Sequence, residues 1–285
     1  MHTRLWQQFR PARVARYHQI DDVFTRASDI VYGLPIPKRK FWIRKNYQAL
    51  NTLIASALLE AQDQHSSEHY VAALVLQAPR AVVAQRRMDG HPNGTHDKHR
   101  RIDELISFND TYVSLILSLH DDDREQANDR LKQLMDRFCK YLKAPCFSNE
   151  QWEAITHGLS REIAVYRTAK ELGYDVRMTS RQQDAMGVDM VITDSRRDRS
   201  INLDIKTRSS FHFRLKDLAK EGRIPEMQRE AAEHAGFCMV VNGHGDEAVH
   251  TILLRIDEET YGRIDAFRLE RPQALAAKLE EIMRY

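Results

Sequence analysis

The chain has 285 residues, of which 42% are apolar and 29% charged, the ordinary balance of a globular protein with one large or two modest domains. Lys and Arg total 43 against 41 Asp and Glu, a formal net charge of +2, so overall charge neither demands nor excludes a nucleic-acid partner. No apolar run approaches the roughly 18 residues of a membrane helix, and the start, Met1-His2-Thr3-Arg4-Leu5-Trp6, lacks the apolar stretch of a signal peptide. Cys139, Cys146 and Cys238 give neither a disulfide framework nor a CxxC metal motif. The expectation is a reduced cytoplasmic protein with no membrane partner.

The first fifty residues are basic. Within them Lys38, Arg39, Lys40 and Arg44 interleave with Phe41 and Trp42, a pattern that can grip phosphates and stack bases or simply open an amphipathic helix. Apolar spacing predicts helices over 41–62, 69–85, 102–119 and 122–142. Pro79 should kink or split the second. The segment 88–99 reads as a turn-rich loop carrying His91, His96 and His99, with no acidic or Cys spacing to support a metal site.

The pattern changes near residue 148. Ser148 and Gln151 form a capping box that opens a helix to about Leu172, with Gly158 as a point where it can break and Gly173 as its stop. Strands are expected over 174–179, 188–193, 201–207, 237–241 and 249–256. A polar helix should span 215–235, and Pro272–Met283 should close the chain. The expected class is therefore α/β: an all-α domain over 1–148, then a mixed sheet flanked by helices over 149–285.

Four residues fall where chemistry can use them. Glu162 lies in the helix before the first strand, Asp189 opens the second strand, and Asp204 and Lys206 share one face of the third. A hairpin of the second and third strands would set Asp189 beside Asp204. Paired carboxylates repel, and a hard divalent cation relieves the repulsion. A lysine two residues from such a ligand can orient a metal-activated water or neutralise phosphate charge. Taken singly, each residue has a plainer alternative: a solvated strand face with an exposed ion pair, a helix-surface acid, a turn exit.

Together, Glu162 in Gly158-Leu159-Ser160-Arg161-Glu162, the strand Gly187-Val188-Asp189 and the triplet Asp204-Ile205-Lys206 resemble the PD-(D/E)XK nuclease superfamily, with its restriction-endonuclease-like fold. Val188 stands where the family's motif has proline. The resemblance covers roughly residues 150–255. It implies Mg²⁺, with Mn²⁺ as a substitute, bound by Asp189, Asp204 and the Ile205 carbonyl. Glu162 would support the metal or its water, and Lys206 would assist the attacking water. It also implies cleavage of nucleic acid, DNA before RNA, and in many relatives the pairing of two copies. Arg208, Arg214 and Lys216 follow the third strand, where they can meet the DNA backbone or equally be surface charge. Gln228 matches no tyrosine-paired motif. The helical domain over 1–148 would then bind substrate or a partner or mediate dimerisation; the alternatives are a non-catalytic nucleic-acid-binding or assembly protein that keeps the fold, and a protein-interaction module in which the helical half does the work.

Overall fold

The structure, a computed structural model, describes residues 19–34, 47–64, 66–90, 103–179, 183, 186–242 and 248–284. Six helices fill the first part of the described chain: α1 (Gln19–Gly33), α2 (Tyr47–Gln64), α3 (Ser67–Asp89), α4 (Asp103–Ser118), α5 (Asp121–Tyr141) and α6 (Asn149–Glu171).

Helix α1 buries Ile20, Phe24, Ala27 and Val31, a stripe at the i, i+4, i+7 spacing of one helical face. Helix α3 is the axis of this half, packed against α1, α2, α4 and α5. Val71–Leu76 are all wholly buried. Pro79 neither kinks nor splits it: α3 runs unbroken from Ser67 to Asp89. The ring costs the helix one N–H bond, and packing around this buried helix holds the backbone helical despite that loss.

Helix α6 serves both halves. Its start is the expected capping box, with Ser148 accepting from the Gln151 amide and Gln151 accepting from that of Ser148. Trp152, Leu159 and Ile163 bury in the helical core, whereas Ala164, Val165 and Ala169 bury against the sheet. Trp152 meets Phe108 and Tyr112 edge-on. Gly158 does not break the helix. A second tie is Asp121 at the start of α5, whose carboxylate pairs with Arg124, Arg167 and Arg268.

The five-stranded mixed sheet comprises β1 (Asp175–Met178), β2 (Met190–Asp194), β3 (Arg199–Lys206), β4 (Phe237–Asn242) and β5 (Val249–Arg255). Its spatial order is β1-β2-β3-β5-β4. Strands β3 and β5 run parallel, and the other neighbours are antiparallel. One face packs under α6 and α10 (Pro272–Ile282) through Met190, Ile192, Leu203, Ile205, Leu275 and Leu279. The other packs under α7 (Arg208–Lys220) and α8 (Glu226–Ala235) through Phe211, Leu215, Ala232 and Val240.

The single polar helix expected over 215–235 is two. Thr207 caps α7 seven residues earlier than expected, and Gly222 (φ 70°) and Pro225 separate α7 from α8. A short helix α9 (Glu258–Tyr261) and a hairpin of β6 (Ile264–Asp265) and β7 (Arg268–Leu269) precede α10. Among the described residues no helix is long and apolar enough to cross a membrane.

Candidate active site

The pairing of β2 with β3 is antiparallel, with Met190 opposite Leu203. Asp189 lies one residue before that pair, where the ladder ends, and Asp204 follows Leu203 on β3. Gly187 (φ 81°) turns the chain into this approach through a conformation that a side chain would strain. The Asp189 amide donates to the Leu203 carbonyl at 2.8 Å, and its own carbonyl accepts from the Thr179 amide at 3.2 Å, so the backbone is fixed on both sides. The Asp189 carboxylate then turns inward. Oδ2 accepts from the Ile205 amide at 2.6 Å, so a side chain does the work of a ladder bond at the strand end.

Along β3, Leu203 and Ile205 enter the core beneath α6 and α10, and Asp204 and Lys206 alternate with them. Asp204 is 0% exposed and Asp189 is 7% exposed. The plainer alternative of a solvated strand face is thereby excluded. Lys206 Nζ donates to Asp204 Oδ1 and lies 3.3 Å from the Ile205 carbonyl oxygen. One ammonium thus gathers a carboxylate and a backbone carbonyl beside a second carboxylate.

Asp189, Lys206 and Glu162 line one cavity of about 360 Å³. It lies between the two halves. Thr179 and Met178 of the sheet side and Leu159 of α6 form one wall, and Asn109, Asp110, Val113 and Ser114 of α4 form the opposite wall. The Asn109 Oδ1 is buried with no hydrogen-bond partner. Asn109, Asp110 and Thr179 are site residues that sequence reasoning missed, because only tertiary packing brings α4 over the strand ends.

The remaining expected residues scatter. Arg208 is 69% exposed by side chain and pairs with Glu259 at 3.1 Å, away from the cavity wall. Arg214 is half-buried, its Nε without a hydrogen-bond partner; burial pushes its guanidinium below the usual range and nearby Arg223 adds to the effect. Lys216 is exposed. Gln228 reaches only the Cys238 sulfur, at 4.0 Å. Lys38, Arg39, Lys40, Trp42 and Arg44, together with His91, His96 and His99, lie outside the described residues.

The donor set Asp189, Asp204 and Ile205 carbonyl is all hard oxygen, the chemistry Mg²⁺ takes. The position of the Lys206 ammonium against two of those donors marks a point where a cation is favoured. Among the described residues no three His, Cys, Asp or Glu side chains form a metal-holding group, so Glu162 lines the cavity without closing a three-carboxylate cage. No family model, curated protein or solved structure matches the chain.

Proposed function

We propose that the protein is a Mg²⁺-dependent nuclease of the PD-(D/E)XK type, hydrolysing phosphodiester bonds in DNA, with Mn²⁺ able to replace Mg²⁺. The observation that carries this reading is the gathering of Asp189, Asp204 and Lys206 at the ends of β2 and β3, where Asp189 and Lys206 line a cavity with Glu162 and Asp204 lies behind it, bonded to Lys206. Asp189, Asp204 and the Ile205 carbonyl would hold the cation. A bound Mg²⁺ supplies Lewis-acid polarisation of the phosphate and a more acidic water.

The chain's own residues do the rest. Lys206, held by Asp204, directs its N–H bonds at the attacking water and offsets charge that grows on the phosphate oxygens. Glu162 orients water from the α6 wall. Asp189 keeps the Ile205 peptide oriented through its bond to the amide, which fixes where the Ile205 carbonyl points. Apolar side chains on both walls, among them Leu159, Met178 and Val113, lower the local dielectric and strengthen each of these interactions.

A non-catalytic nucleic-acid-binding or assembly role has one observation in its favour: the Lys206–Asp204 pair is a complete ion pair as it stands. Asp204→Ala separates the two readings. The nuclease reading requires that the variant stop cutting in Mg²⁺ while DNA binding largely survives. A variant that matches wild type in every activity favours the other reading.

A further inference from the structure

We infer that the substrate is single-stranded DNA, or a single-stranded end or flap, and that the helical half selects it by roofing the active site. The inference rests on the nuclease reading above and deepens it.

The argument is one of access. Asp204 has no exposed surface, Asp189 almost none, and the Lys206 side chain is 14% exposed. Lys206 lines the cavity between α4 and the strand ends, and that cavity is the approach to it that the described residues show. Its volume of about 360 Å³ stands near the lower end of the range that encloses small ligands, about 300–1,000 Å³. One nucleotide enters such a space. A base pair with two backbones does not. Enzymes that act at an enclosed centre meet this by taking single strands or by unstacking the target nucleotide.

The wall chemistry agrees. Leu105, Ile106, Val113, Leu117 and Leu159 offer apolar surface to a base face. Asn109 lies on the same wall and carries a side-chain amide able to meet a base edge. A duplex keeps its base faces stacked and its Watson–Crick edges paired. The acidic residues on the walls, Asp110, Glu162 and Asp189, are tolerable beside a phosphate only with cations in place, which is the same requirement the hydrolysis has.

The test uses the full chain and one labelled sequence presented as single strand, blunt duplex, duplex with a single-stranded tail, and RNA of the same sequence, with Mg²⁺ or EDTA. Cuts confined to the single strand and the tail, with blunt duplex at least about 100-fold slower, are expected. Blunt duplex cut at a comparable rate overturns this inference and leaves the nuclease reading standing. Preferential cutting of RNA overturns the choice of DNA. No cutting of any substrate overturns both. Binding gives a second readout independent of turnover. Lys206→Ala should bind single strand more tightly than duplex by fluorescence anisotropy, and Ser114→Trp, which fills the cavity from α4, should lose that preference while keeping the wild-type circular dichroism spectrum. Equal affinity of Lys206→Ala for the two forms contradicts the inference.

Discussion

Lys206→Met removes a charge from the most confined part of the site and leaves a side chain of similar length. Asp204 is wholly buried and loses the ammonium bonded to it. Breaking a buried pair from one side costs about 3–5 kcal/mol. The Lys206 side chain is slightly exposed at a cavity that admits water, which lowers the expectation to roughly 2–3 kcal/mol. For a protein of this size 1 kcal/mol moves the melting temperature by about 2 °C, so the variant should melt roughly 5 °C below wild type in EDTA. Mg²⁺ should then act in the opposite sense. It supplies the missing positive charge, and at 100 times its dissociation constant a bound ion stabilises by about 2.7 kcal/mol. The Mg²⁺-induced rise in melting temperature should be larger for Lys206→Met than for wild type, where the ammonium already occupies two of the oxygens. Thermal unfolding followed by circular dichroism, with and without Mg²⁺, measures both effects. A variant as stable as wild type in EDTA, or one that gains nothing from Mg²⁺, refutes the reasoning.

Other substitutions separate structure from chemistry. Asp189→Ala leaves the Ile205 amide buried without its acceptor and should cost about 1–3 kcal/mol in urea unfolding, whereas Asp189→Asn keeps an acceptor, stays near wild-type stability and still loses metal-dependent cutting. Trp152→Ala opens a hole among Phe108, Tyr112 and Phe147 where α6 enters the helical core, and should cost about 3–5 kcal/mol by the same measurement. His157 has its pKa lowered, first by burial and then by Arg161. The native state therefore resists protonation that the unfolded chain accepts near 6.5, and stability falls as pH drops through that value toward the lower folded one. A pH series of unfolding free energies should flatten in this window for His157→Gln, and an unchanged slope would count against the assignment.

Much of the sheet half was legible because local pattern and tertiary role coincide there. The runs around Ile192, Leu203 and Leu254 alternate or are wholly apolar, and they became β2, β3 and β5. The expected hairpin of the second and third strands is present as the antiparallel pair β2–β3, which ends at Met190 opposite Leu203. Elsewhere local signals misled. Pro79 carries a breaker signal, yet burial on all sides of α3 outweighs one lost hydrogen bond. The polar helix expected from residue 215 begins at Arg208 instead, set by the Thr207 cap. Helix α1 lies outside the expected helices, although Ile20, Phe24, Ala27 and Val31 carry the spacing of one helical face. The roof of the cavity was beyond any local reading. Asn109 and Asp110 sit about fifty residues from Glu162 and a hundred from Lys206, and nothing in their own neighbourhood says that α4 lies over the ends of β2 and β3.

The central claim is that Asp189, Asp204 and Lys206 form a hydrolytic centre. The most direct measurement is the single-turnover cleavage rate of wild type and Lys206→Ala on the same tailed DNA, in Mg²⁺ with EDTA as the blank. The account predicts metal-dependent cutting by wild type and a loss of at least about 100-fold in the variant, the scale expected when a group that stabilises transition-state charge is removed. Cutting at equal rates by both proteins, or cutting that survives EDTA, would contradict it.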